Sequence, residues 1–224
     1  MIKAVIFDLD GVIVSTDEYH YQAWKVMADR EGIYFDRSVN ERLRGVSRAE
    51  SLAIILERAL RRYDEKEKER LSQQKNETYK KLLNSLTCKD ILPGVFENLE
   101  KLKDTRIKIA IGSSSKNTPY ILERIGMNHY FDAVADGNCI TRSKPDPEVF
   151  LLAASSMKMK PEHCLVVEDA YAGIDAAKQG GFISLAVGYA CGYEKADFNA
   201  RTLKDVDLSA LISLGIVRAI NSQE

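Results

Sequence analysis

Apolar and polar positions alternate between two regimes along the chain. Five short, β-branched-rich runs read as strands: AVIFDL (4–9), IKIAIG (107–112), FDAVAD (131–136), CLVVED (164–169) and FISLAVG (182–188). Near-continuous apolar runs of this length suit strands buried on both faces. Between them lie segments with helical periodicity, PGVFENLEKLKD (93–104), KNTPYILERIG (116–126), DPEVFLLAASSMK (146–158) and YAGIDAAKQGG (171–181). Each stops at or near a glycine or a lysine-rich end. Strand and helix in alternation predict an α/β fold, a doubly wound parallel sheet.

One stretch departs from this rhythm. From Thr16 to about Thr87 no strand pattern occurs, only charged amphipathic helices such as EYHYQAWKVMADREG (18–32) and EKEKERLSQQKNETYKKLLNSL (65–86). The expected organisation is therefore a core of residues 1–15 and 88–224 with a helical domain, 16–87, inserted after the first strand. Linkers are expected near 14–16 and 85–91. The Lys/Glu-rich tract 65–81 carries mixed signs, which suits a solvated helix face with i,i+4 pairs.

Composition narrows the partners. Lys and Arg total 32 against 33 acids, a net charge of −1, so nucleic-acid or membrane-surface binding by bulk attraction is not expected. Any phosphate-binding charge has to be local. The four cysteines, Cys88, Cys139, Cys164 and Cys191, have no metal-ligand spacing and are expected to be buried, reduced thiols. No run approaches a bilayer-spanning length and no signal peptide is evident, so a cytoplasmic monomer is expected.

Chemistry concentrates where strands end. In open α/β sheets ligands bind beyond the carboxyl ends of the strands. There the chain has DLDG (8–11), GSSSKN (112–117) and VVEDA (166–170), with SKPDP (143–147) in the loop after the third strand. Singly, these read as a tight turn or calcium-loop fragment, a helix cap, a turn and a capped strand. Together they converge carboxylates, a hydroxyl and a lysine on one sheet edge. Asp8, Glu168 and Asp169 offer oxygens to a small divalent ion such as Mg2+. Cation charge offsets their mutual repulsion and leaves Asp8 ionised to attack phosphorus. Asp10, past the regular pleat, suits proton transfer. Ser113 and Lys144 suit the equatorial oxygens of a transferring phosphoryl group.

DLDGV, GSSSKN, SKPDP and VVEDAYAGIDAAK resemble the four motifs of the haloacid dehalogenase-like phosphotransferases, across essentially the whole chain. The resemblance implies Asp8 as nucleophile, Asp10 as acid/base, and Ser113 and Lys144 as phosphate-orienting groups. It also implies magnesium held by Asp8, Asp10 (through its carbonyl), Glu168 and Asp169, and it makes the inserted helices that family's small helical cap. TDEYHYQAW and LRGVSRAES are similar to cap segments of the mutase branch. That branch interconverts β-glucose 1-phosphate and glucose 6-phosphate through an aspartyl phosphate and β-glucose 1,6-bisphosphate.

A mutase needs a second phosphate site. Arg48, beside Gly45, Val46 and Ser47 where a turn opens a helix, is the candidate, together with Ser115, Lys116 and Asn117. Thr16, Ser51 and Lys75 are placed on the sugar side. His20 and Trp24, at i and i+4, share a helix face that can meet the sugar, with His20 near enough to contact Asp10. Bland alternatives stay open: Trp24 as core, Arg48 as a solvated helix start, Lys75 as one solvated lysine among many. A departure lies at the hinge, where relatives commonly carry an acid before the Thr and this chain has Ser15, Thr16 and Asp17. A sugar-phosphate phosphatase and a non-catalytic sugar-phosphate sensor are the alternatives to a mutase.

Overall fold

The computed structural model describes residues 1–213; the stretch 214–224 of the expected core lies outside the described residues. Six parallel strands form one sheet: β1 (Ala4–Phe7), β2 (Lys108–Gly112), β3 (Ala133–Ala135), β4 (Cys164–Glu168), β5 (Ile183–Ala186) and β6 (Phe198–Asn199). Their spatial order is β3-β2-β1-β4-β5-β6. Strand order thus reverses at β1, which pairs with β2 and β4, matching Phe7 with Ile111 and with Val167. That register brings Asp8, Ser113 and Glu168 to one edge. The fold class is the one expected; β6 was not, because two residues beside Asp197 carry no readable alternation.

The period-2 pleat assigns each strand residue to a layer. Val5 and Phe7 join Ile109, Ile111, Leu165 and Val167 in a core closed by Leu99 and Leu102 of α5 (Val95–Asp104) and by Ile121 and Leu122 of α6 (Thr118–Arg124). Ala4 and Ile6 face the other way, onto Val149, Phe150 and Ala153 of α7 (Glu148–Ser156) and Ala176 and Ala177 of α8 (Tyr171–Gln179). Every β1 residue is fully buried. Full burial on both faces removes the polar alternation a one-sided sheet would show.

Residues 17–83 are helical: α1 (Asp17–Arg30), α2 (Arg37–Glu41), α3 (Arg48–Leu56) and α4 (Glu65–Leu83). Trp24, Met27, Phe35, Leu52, Ile55 and Leu71 form a separate apolar cluster among them. Ser47 and Asp64 close capping boxes at the starts of α3 and α4 with Glu50 and Glu67, each such cap contributing about 1 kcal/mol. The buried stripe of α4 is Leu71, Lys75, Tyr79 and Leu83. Leu71 belongs to the helical cluster, whereas Tyr79 and Leu83 join the core under the sheet, so one helix ties both.

The two linkers meet: Val14 pairs with Ile91, and Leu92 N–H donates to the Ile13 carbonyl at 2.9 Å. Core helix α6 also reaches the second linker, where the Arg124 guanidinium donates to the carbonyls of Asn84 and Leu86. The expectation for the cysteines is corrected. All four are free, but only Cys164 is buried; Cys88, Cys139 and Cys191 are exposed, because they sit in loops and turns rather than on apolar faces. No helix among the described residues is long and apolar enough to cross a membrane.

Candidate active site

β1 delivers Asp8 with its backbone still in the sheet, the Asp8 N–H donating to the Val167 carbonyl at 2.9 Å. Gly11 then turns the chain with φ +80°, and a Cβ there would sit 2.1 Å from Asp169 Oδ2. Glycine is required twice over, by backbone conformation and by the carboxylate beside it. Gly173 does the same for Glu168: in the first turn of α8, a Cβ would lie 2.0 Å from the Glu168 carboxyl carbon. Asp8, Glu168 and Asp169 are buried, and each offers an oxygen within 4.8 Å of the others.

Three clustered, buried carboxylates are unstable without cationic charge. Lys144 provides part of it, with its ammonium on Asp8 and 2.8 Å from Glu168 Oε2. Burial alone would lower the Lys144 pKa, yet the two carboxylates hold it above its usual value. Even so, burial pushes Glu168 up to about 7 against the pull of Lys144. Burial and then Glu168 and Asp8 push Asp169 well above the carboxylate range. One lysine does not balance three acids. An all-oxygen donor set left short of positive charge fits a hard divalent cation.

Asp10 belongs to a different network. Its carboxylate accepts from the Thr16 N–H at 2.6 Å and the Thr16 hydroxyl at 2.5 Å, and Thr16 Oγ1 lies 2.7 Å from the Tyr79 hydroxyl. Burial and the charge of Asp17 push Asp10 up to about 7 although Thr16 opposes the shift. His20 Nε2 stands 3.5 Å from Asp10 Oδ2, and Lys75 Nζ stands 2.8 Å from His20 Nδ1. Lys75 therefore meets the ring through Nδ1, and Nε2 is the nitrogen that faces Asp10. Burial, then Lys75 and Arg48, hold His20 well below its usual pKa. Burial and Arg48 hold Lys75 well below its own.

A cavity of about 570 Å³ spans the two networks. Asp8, Asp10, Ser113, Lys144 and Asp169 line it from the core. From the helical insert come His20, Trp24, Gly45, Val46, Ser47, Arg48, Ser51 and Lys75, and from the β2–α6 loop Ser115, Lys116 and Asn117. Arg48 and Lys116 make no ion pair among the described residues, although burial already lowers the Arg48 pKa. Asn117 donates to Asn76 on α4 at 3.0 Å.

Two expectations are corrected by the geometry, and one alternative falls. Thr16 is fully buried, spends its N–H and hydroxyl on Asp10, and does not line the cavity. The Ser47 N–H is not free for phosphate, since the capping box gives it to Glu50 at 2.9 Å. Lys75, expected on the sugar side, lines the cavity at 2% exposure, which removes the alternative of a solvated lysine in the charged tract. Trp24 satisfies both readings, packed in the helical cluster and lining the cavity, with Lys75 Nζ 4.9 Å from its ring centroid.

Sequence reasoning missed Asp17, Tyr79, Asn76, Ser114 and Gly173. Tyr79 was findable, four residues beyond Lys75 on the same helix. Gly173, inside a helix where glycine is disfavoured, was a second signal. Ser114 carried none; it lines the cavity, its hydroxyl buried and without a hydrogen-bond partner among the described residues.

Comparison with known proteins agrees with this geometry. The chain is 44% identical over 212 residues to the β-phosphoglucomutase of Bacillus subtilis (strain 168), spanning 94% of each chain. It is 34% identical over 184 residues to a phosphorylated carbohydrates phosphatase of Thermotoga maritima, covering 80% of this chain and 82% of that one. The crystal structure of a β-phosphoglucomutase from Clostridium difficile superposes with a TM-score of 0.92 at 38% identity, over 98% of this chain and all of that one. Residues 2–181 match the family described as haloacid dehalogenase-like hydrolase. Acids at the edge of a reversed parallel sheet, a helical insert closing over them and this match together place the chain in the haloacid dehalogenase-like hydrolase family.

Proposed function

We propose that the protein is a magnesium-dependent β-phosphoglucomutase, interconverting β-glucose 1-phosphate and glucose 6-phosphate through an aspartyl phosphate on Asp8 and β-glucose 1,6-bisphosphate. The observation that carries this reading is Arg48. It lines the same cavity as the Lys144 that serves Asp8, partly buried and without a carboxylate partner among the described residues. Leaving a guanidinium unpaired in a half-buried site is costly unless an anion arrives. A cavity with one cation at the reacting end and others, Arg48 and Lys116, elsewhere suits a substrate that carries phosphate at both ends in turn.

In this reading Asp8 attacks the phosphoryl group of the bisphosphate, and the leaving sugar oxygen takes a proton from Asp10. Asp10 is suited to both directions because its pKa of about 7 leaves protonated and ionised forms populated near neutrality. His20 holds the Asp10 carboxylate from the cap side, and Lys75 holds the His20 ring through Nδ1. Asp8, Glu168 and Asp169 would hold magnesium, which supplies charge neutralisation for the transferring phosphoryl group. Lys144 and the Ser113 hydroxyl meet the equatorial oxygens. With the insert shut, the sugar hydroxyl rather than water reaches the phosphoenzyme.

The test is turnover of purified anomers with glucose 1,6-bisphosphate as primer. The reading expects glucose 6-phosphate from the β anomer and not the α. The phosphatase reading draws support from the Thermotoga relative. It expects inorganic phosphate from several esters and no role for Arg48, and that outcome would displace the mutase.

A further inference from the structure

The hinge departure and the cap loop meet at Arg44. Its guanidinium pairs with Asp17, the acid that follows Thr16 in this chain, and Arg44 Nε donates to Glu41 Oε2 at 3.0 Å. Both acids lie in the helical insert, so they fix the guanidinium without reaching the core. What they aim it at belongs to the core: the Arg44 guanidinium carbon stands 4.9 Å from the ring centroid of Tyr189, in the turn after β5. Tyr189 is itself braced, its ring 5.1 Å from that of Tyr171, which lies 4.6 Å from Tyr193. The next residue completes the contact. Gly45, at φ +73°, lies so close to the start of α8 that a Cβ would sit 2.9 Å from Ala170 Cβ.

We propose that Arg44 latches the insert onto the core by seating its guanidinium on the Tyr189 ring, with Asp17 and Glu41 aiming it and Gly45 permitting the close approach. Arg44 is then a positioning residue. A guanidinium over an aromatic face is attracted by the ring quadrupole, more strongly where water is partly excluded; the Arg44 side chain is 22% exposed. Arg44 Nη1 also lies 3.7 Å from Asp169 Oδ2, but the latch does not rest on that carboxylate, since Tyr189 supplies the contact and Asp17 the counter-charge.

The consequence for catalysis rests on the mutase reading; the structural claim does not. Small-angle X-ray scattering of the full chain with magnesium and β-glucose 1-phosphate reads closure. Arg44→Ala and Tyr189→Ala are expected to enlarge the radius of gyration, Tyr189→Phe to match the unsubstituted chain, and the Arg44→Ala/Tyr189→Ala double variant to exceed neither single one. In the same samples each alanine variant is expected to lower kcat/KM about 3- to 30-fold, non-additively in the double variant, and to raise phosphate release relative to glucose 6-phosphate. A Tyr189→Ala chain with unchanged radius, or losses that multiply in the double variant, overturns the latch. An unsubstituted chain that forms no glucose 6-phosphate rejects the mutase reading instead, and the scattering comparison then still decides the latch.

Discussion

The two walls of the cavity reach their charges by opposite routes. On the core wall, strand ends aim acids at one point, and burial lifts Glu168 to about 7 while Lys144 is held charged between carboxylates. On the wall formed by the insert, helix faces bring bases together; burial and Arg48 lower Lys75, and burial with Lys75 and Arg48 lowers His20. Acids pushed up and bases pushed down approach one another in proton affinity. Proton transfer between matched groups is easiest near the working pH, and the walls meet where His20 Nε2 stands 3.5 Å from Asp10 Oδ2.

Breaking the core wall gives the largest effect. Asp8→Ala removes the nucleophile, and steady-state assay should show a loss of roughly 10⁴-fold or more in kcat. Breaking the opposite wall costs less. Lys75→Met removes the donor at His20 Nδ1 and one of the charges that depress its pKa; NMR titration should find the His20 pKa raised, and kcat reduced by about 10²-fold. Gly173→Ala leaves both networks chemically intact but forces Glu168 to move. Calorimetric magnesium titration should show an affinity about 10- to 100-fold weaker.

Asp10→Asn sharpens the comparison through stability. The folded pKa of about 7 exceeds the ordinary aspartate value of 3.8, so between the two the folded state binds a proton the unfolded state has lost. That stabilisation is full below about 4 and is lost as pH rises through about 7. Asp10→Asn removes the slope. Thermal melts should give it a Tm above that of the unsubstituted chain at pH 8, by on the order of 10 °C, and an equal one at pH 4. The smallest test is a thiol titration of the folded chain, in which Cys88, Cys139 and Cys191 should react before unfolding and Cys164 only after it.

Much of the core wall was legible because strands end in fixed directions. Four motifs at strand ends sufficed to name Asp8, Ser113, Lys144, Glu168 and Asp169, and the sheet brings them together through one register. The insert was less legible because a helix side chain's partner depends on which face packs, and α4 hides Lys75 and Tyr79 within a tract whose composition reads as solvent-facing. Thr16 resembled a substrate contact for want of knowing that Asp10 turns towards it. Arg44 and Tyr189 lie 145 residues apart by number, and only the closed arrangement shows that they touch. The exposed cysteines were misread because apolar residue type was taken for apolar position.

The central claim is that the closed cavity gives the phosphoryl group to sugar and not to water. A single-turnover experiment tests it: the chain phosphorylated on Asp8 is mixed with β-glucose 1-phosphate and the label on the phosphoryl group is followed. The account predicts that the label appears in glucose 1,6-bisphosphate, and then in glucose 6-phosphate, faster than in inorganic phosphate. Label passing first to inorganic phosphate, at a rate indifferent to the sugar, would contradict it.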